Sequence, residues 1–384
     1  MSPVEEVKKL ISINSVTGSE KVLGVYLEER FRKMGCETRL FEADENRFNV
    51  YAEIKGRSLD IPGLLFHGHL DTVAAHGMES PFIPIEKDGK LYGRGSVDQK
   101  GGIAAVISAF EETLRTGKIP GKTIAFIGVI DEESEHRGSM ALENMGIKAE
   151  FAVVTEPTGL RLGIGCKGTM PIRINVTGQA AHGCRPWLGR NAVVAGMDIT
   201  QMLMKEELPV FEVEGLGRLQ GSLNLGKIDG GRAYNIVADR CSIWFDRRLV
   251  PGESQLAVLK RVKALVAEYS AQNGILAEAE IARPDWNWEP IKARGLLPAL
   301  TDVSSAEVDE VKKAHKMEIG SGPELFFTDG YQEMDFLIND LGINSVQYGP
   351  GDSSLCHTDS ENLDLEQLEL CSRVYLNMIR LLCG

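Results

Sequence analysis

The first half of this chain alternates short apolar runs with helical patterns, and few architectures accept that alternation. Apolar runs occupy residues 48–54, 64–66, 123–130 and 151–154. Such runs suit strands buried on both faces, where no polar face has to be kept. Between the second and third run, Ile103, Val106, Ile107, Phe110 and Leu114 recur at helical spacing. Val22, Leu23, Leu27 and Phe31 do the same earlier, and Gly35 is a good stop for that helix. Strands that alternate with helices pair in parallel, because each crossover returns the chain to the same end of the sheet. The expected fold class is α/β, a mostly parallel sheet with helices on both faces.

The pattern changes near residue 171. Ile174 and Val176 alternate with Arg173 and Asn175, and alternation recurs over much of 222–228 and 241–249. Two amphipathic helices fit 190–204 and 254–270. This reads as an α+β sandwich whose sheet keeps one solvated face. From about 285 the earlier style resumes, with strands at 324–327 and 343–348 and helices at 331–341 and 365–382. The stretch 285–322 shows no clear pattern. A chain of 384 residues exceeds what one hydrophobic core usually supports. We expect a main domain of residues 1–170 and 285–384, interrupted by an inserted domain at 171–284.

Composition narrows the function. The net charge is −13 and no Lys/Arg block stands out, so a nucleic-acid partner is not expected. No stretch of about 18 apolar residues occurs, so neither is a membrane span. The N-terminal residues mix two glutamates and two lysines without an apolar core, unlike a signal peptide. Seven scattered cysteines without a CxxC pair indicate neither a disulfide framework nor a thiolate zinc knuckle. A reducing, cytoplasmic setting is expected.

Five segments hold the candidate chemistry: His69 and Asp71; Asp98; Asp131, Glu132 and Glu133; Glu156; and His357 after a Gly349, Pro350, Gly351 turn. Three of them stand at the ends of expected strands, where open parallel sheets bind ligands. Taken singly, each is ordinary. A carboxylate after a strand commonly caps the next helix, adjacent glutamates commonly face solvent, and a lone histidine is commonly structural. Gathered at one sheet edge, these anions would repel one another unless metal cations sat among them. Imidazole and carboxylate without thiolate suit zinc, and a carboxylate-bridged pair accounts for the surplus of acids. Adjacent Glu132 and Glu133 point apart in extended chain, so both are not expected to bind metal; the residues alone do not say which of them would.

In order and approximate spacing these motifs resemble the acetylornithine deacetylase, succinyl-diaminopimelate desuccinylase and aminoacylase family of two-zinc peptidases. The resemblance runs through HLD at 69–71, GRGSVDQKGG at 93–102, DEE at 131–133, TEPT at 155–158 and the GPG turn before His357, spanning roughly residues 1–380. It implies that Asp98 bridges two metals, that His69 and Glu156 complete one shell, and that Glu133 and His357 complete the other. Asp71 would then hold the His69 imidazole, Glu132 would be the general base, and the Asp98–Gln99 peptide would be cis. Within the insert, His182 and the following Gly189, Asn191 and Ala192 resemble the family's segment that stabilises the oxyanion in a partner subunit. Gly183 and Cys184 stand where many relatives have two serines. Asn235, Arg248 and the Gly351 turn would bind the substrate, with Arg248 gripping a carboxylate bidentately.

The implied protein is a cytoplasmic homodimer built through its inserted lid and dimerisation domain. Each chain would hold two Zn2+, with Co2+ as a substitute. It would deacylate an N-acyl amino acid of the acetylornithine or succinyl-diaminopimelate kind, or else act as a dipeptidase or carboxypeptidase by the same chemistry. A non-catalytic binding protein on this fold would show a broken ligand set, and here the set is whole. The GxGxxG of residues 163–168 is not a dinucleotide fingerprint, because Pro171 and an alternating strand follow it where a helix is required. His76, His136 and His315 fit no motif and read as surface residues.

Overall fold

The computed structural model describes residues 1–384 apart from 59, 60, 76, 214, 284 and 285, so His76 lies outside the described residues. Two compact units emerge: Met1–Gly165 with Leu300–Thr328 and Glu333–Gly384, and Cys166–Ala299 with Asp329–Gln332. The fold is mixed α/β with a mostly parallel central sheet.

The first unit is built on a nine-stranded sheet. Its centre runs Ile124–Val129, Leu64–His69, Phe151–Val154, Asn344–Gln347, all pairing in parallel. Arg47–Ile54 joins one side antiparallel and Leu162–Cys166 the other. Every residue of Leu64–His69, Ile124–Val129 and Phe151–Val154 is buried, as two covered faces require. Phe66 on the central strand packs against Tyr375 of the helix Leu365–Cys383 at 4.8 Å between ring centroids, and against Phe110 of the helix Gly101–Arg115 at 6.3 Å. Phe31, on the helix Lys21–Met34, stacks on Phe126 at 5.2 Å. That helix ends where its sequence says it should: Gly35 adopts φ +102°, a left-handed conformation that costs a residue without Cβ little.

Register decides what the strands deliver. His69 pairs with Val129, His67 with Val154, and Val154 with Gln347. Four carboxyl ends therefore stop at one edge, and the segments that follow them hold residues 69–71, 131–133, 155–158 and 349–357.

The second unit has a four-stranded antiparallel sheet in the order Ser222–Gly230, Arg240–Leu249, Gly168–Thr177, Leu276–Ile281. The helices Ala192–Met204 and Gln255–Asn273 pack on it through Ile199, Leu203, Val262 and Val266. The residues between 286 and 299 belong here, where the Thr169 amide donates to the Leu296 carbonyl at 3.1 Å. The GxGxxG segment is strand, as its context requires.

Three readings need correction. The helix expected at 331–341 is shorter, covering 334–340, and its last five residues, Phe336–Asp340, take the wider π-helical form. The unread stretch contains the helix Ala306–Ile319, whose start Ser305 caps by accepting from the Val308 amide. His136 and His315 are not surface residues: both are 5% exposed, His136 bonding Glu333 at 3.0 Å and His315 the Tyr348 hydroxyl at 2.8 Å.

Candidate metal centre

Asp98 stands at the middle of the sheet edge. One of its oxygens lies 2.9 Å from His69 Nε2, and the other lies 3.3 Å from His357 Nε2. His357 Nε2 is also 3.0 Å from a Glu133 oxygen. Glu156 approaches the other imidazole, 3.8 Å from His69 Nε2. His69, Asp98 and Glu133 each offer a ligand atom within 4.8 Å of the others. Five sequence-predicted ligands thus come together around one carboxylate. Glu133 rather than Glu132 enters the group of His69 and Asp98.

The backbone around these groups is tightly held. The Asp98–Gln99 peptide is cis. His69 Nδ1 lies 2.9 Å from the Asp71 backbone oxygen, which leaves Nε2 facing the centre. The expected contact from the Asp71 carboxylate to this ring is long, 3.6 Å. That carboxylate also accepts from the amides of Glu132 at 3.0 Å and Glu133 at 3.1 Å, and from the Thr17 hydroxyl at 2.8 Å. Asp71 therefore aims the turn that presents both glutamates. Asp131 anchors the same turn from behind, its carboxylate 2.7 Å from Arg47.

Sequence reasoning missed several supports. Gln99 donates to Glu156 and accepts from Thr155 at 2.5 Å. Glu361 accepts from Arg94 and from three amides of the Asp98 loop. Glu333, 1% exposed, faces His67 and His136. The nearest signals were spacing and position: Glu361 follows His357 by four residues, and Arg94 and Gln99 sit inside the quoted motif. Gly351 is held closely by its neighbours. It adopts φ +95°, a Cβ there would meet Val97 at 2.2 Å, and its amide donates to Gln367 at 2.9 Å.

The other three predicted residues lie in the second unit. His182 and Asn235 are brought together there: the Gly183 amide donates to the Asn235 carbonyl at 2.8 Å, and His182 bridges to Ile236. Both are exposed. The Cys184 amide donates to His182 Nδ1 at 3.1 Å, which leaves Nε2 of this exposed ring as the N–H donor. Arg248 is half-buried and pairs with Asp246 at 3.0 Å.

Residues 65–381 match peptidase family M20/M25/M40. The chain belongs to that family. It is 26% identical over 385 residues to a probable succinyl-diaminopimelate desuccinylase of Staphylococcus aureus, covering 92% of this chain and 91% of the relative. It is 28% identical over 387 residues to a probable carboxypeptidase of Aspergillus clavatus, covering 94% and 84%. A solved tripeptidase of Staphylococcus aureus shares its fold with a TM-score of 0.81 at 23% identity, over 99% of this chain and 97% of that one. As a member of the M20/M25/M40 family the protein is a metal-dependent hydrolase of the peptidase or amidohydrolase kind.

The side chains of this M20/M25/M40 centre fit metal by their chemistry. Contact with Asp98 and Glu133 raises His357 to about 10. Burial opposes charge on His69, yet contact with Asp71 and Asp98 holds it well above the usual imidazole range. Burial, with Asp98 beside it, pushes Glu156 up to about 8. Without a cation, protons are what keep these anions together. A dication would take the same nitrogen and oxygen lone pairs, so binding must expel protons. Chelator-stripped protein should take up two equivalents of zinc with proton release. Because the raised groups hold their protons to higher pH, affinity should weaken as pH falls from about 9 to about 6. Uptake of one equivalent, or pH-independent affinity measured by calorimetry in two buffers, would contradict this site.

Proposed function

We propose that this enzyme is a two-zinc hydrolase that cleaves the amide bond of a small carboxylate-bearing substrate, N-acyl amino acid deacylation being the preferred reaction. The observation that supports it most is Asp98 offering one oxygen to each of two ligand sets, with an unliganded glutamate alongside. His69, Asp98 and Glu156 would hold one zinc; Glu133, Asp98 and His357 the other. Bound there, the pair would supply Lewis acidity and positive charge beside the amide carbonyl. Cobalt, with similar ligand preferences, would substitute.

The chain's own groups do the rest. Glu132 is pushed well above the usual carboxylate range by burial and by Glu133, Glu333 and Glu156, against the pull of His69. Nearby dications would lower it again and favour the carboxylate, which suits a group that accepts a proton from water and passes it to the departing amine. Asp71 sets its direction through the Glu132 amide. His182 Nε2–H would donate to the developing oxyanion, and Arg248 with Asn235 would hold the substrate carboxylate.

On the family resemblance, a second copy would present His182 to the centre. The free edge strand Ser222–Gly230 and exposed Ile228, Val194, Met197 and Trp187 support a homodimer through the inserted unit. Among the described residues no helix is long and apolar enough to cross a membrane, and we assign the enzyme to the cytoplasm. Cleavage of di- or tripeptides is the second reading, favoured by the carboxypeptidase and tripeptidase likenesses.

The zinc-loaded enzyme should be tested on N-acetyl and N-succinyl amino acids, dipeptides and tripeptides, each also as its C-terminal amide. N-acyl amino acids with a free carboxylate should turn over best, and their amides poorly. Arg248→Ala should raise KM for the acids more than it lowers kcat. Preference for peptides would install the second reading; indifference to the carboxylate would remove Arg248 as its anchor.

A further inference from the structure

Glu361 is fully buried, yet its two oxygens collect four N–H donors. One accepts from Arg94 Nη1 at 2.5 Å and from the Gly95 amide at 3.1 Å. The other accepts from the amides of Val97 at 3.0 Å and Asp98 at 3.2 Å. Hydrogen bonds to an ionised acceptor are roughly twice as strong as neutral ones. The loop they hold leads from the strand Lys90–Tyr92 into the helix Gly101–Arg115, and its path depends on such side-chain partners.

The segment that supplies Glu361 also supplies His357. Beyond Glu361 it pairs with the loop's other end, Asn362 opposite Tyr92 and Leu363 opposite Leu91. The Gly93 amide adds a bond to the Glu361 carbonyl. One stretch of chain therefore carries a metal ligand and grips the main chain of the shared ligand four residues later.

We infer that Glu361 is a positioning residue for the metal centre, fixing the Asp98 backbone so that its second oxygen meets His357 and Glu133. The inference rests on the two-zinc reading of that site. Its consequence is unequal. The set of His69, Asp98 and Glu156 meets Glu361 only through Asp98, because His69 and Glu156 are placed by central strands. The set of Glu133, Asp98 and His357 depends on Glu361 twice, through Asp98 and through the chain leading to His357.

Zinc affinity, measured by competition with a chromophoric chelator, tests this without reference to turnover. Glu361→Gln keeps the size but turns an NH2 towards donors. It should weaken one of the two equivalents about 10–100-fold, the range for losing a supporting partner, and the other less than about threefold. The metal-free protein should melt near the wild-type temperature, and Glu361→Asp, which restores the charge with a shorter reach, should lie between. Two unchanged equivalents would overturn the inference. Equal weakening of both, with a large fall in metal-free stability, would reduce Glu361 to a general structural role and also overturn it. If Glu361→Gln does not fold, Arg94→Met decides: it leaves the three amide contacts and should weaken the same single equivalent less. Wild-type protein binding one zinc would reject the two-zinc reading itself, a result separate from any effect of the variants.

Discussion

Glu132→Gln should bind two zinc ions as the wild type does and lose about 10²–10⁴-fold in kcat, the range for removing a general acid–base group. The substitution is isosteric, and Glu132 stands outside the group of His69, Asp98 and Glu133. Its amide stays bonded to Asp71 whatever its side chain, so the turn should keep its shape. Glu133→Gln should behave differently, because Glu133 faces His357 at 3.0 Å and would lose a ligand oxygen. Metal content and single-turnover rates, read on both variants, separate the two roles. If Glu132→Gln lost metal while Glu133→Gln kept it, the assignments would be exchanged.

His182→Ala should lower kcat by about 10²–10³-fold, as expected for one oxyanion donor, with little change in zinc content. The Nε2–H fixed by the Cys184 amide is the feature at stake. If each chain lends this donor to a second copy, two inactive variants should complement one another. Mixed under subunit exchange, His182→Ala and Glu132→Gln chains form mixed dimers in about half of all cases by random pairing of two equivalent protomers. In each mixed dimer one site has an intact Glu132 and an intact partner histidine, and the other lacks both. Recovery should approach about one quarter of wild-type activity per site. No recovery despite proven exchange would mean that His182 works within its own chain or not at all.

The ligand set was legible because it is local. HLD, DEE and TEPT each follow a buried strand, and a parallel register brings strand ends to one edge without further information. The choice between Glu132 and Glu133 was not legible from the residues, since alternation says only that neighbours diverge; the family likeness supplied it. Asp71 shows a subtler limit. Its position two residues after His69 suggested a carboxylate on the imidazole; the fold also gives that carboxylate the amides of Glu132 and Glu133, more than sixty residues away. His136 and His315 read as surface because no motif claimed them, yet long-range partners, Glu333 and Tyr348, satisfy their ring nitrogens inside the core.

By itself the sequence determined the α/β class, the change of style in the insert, the family and which residues gather at the candidate metal centre. Periodicity and short motifs record short-range physics: which face is buried, where a helix stops, which atoms can ligate. Tertiary structure alone decided that Glu361 grips the Asp98 loop, that the Gly351 amide is taken by Gln367, and that residues 286–299 pack with the inserted unit. Each of these is a hydrogen bond or packing contact between segments far apart in the chain. No local pattern encodes such a contact, because its partner is chosen by how the strands stack and not by the residues beside it.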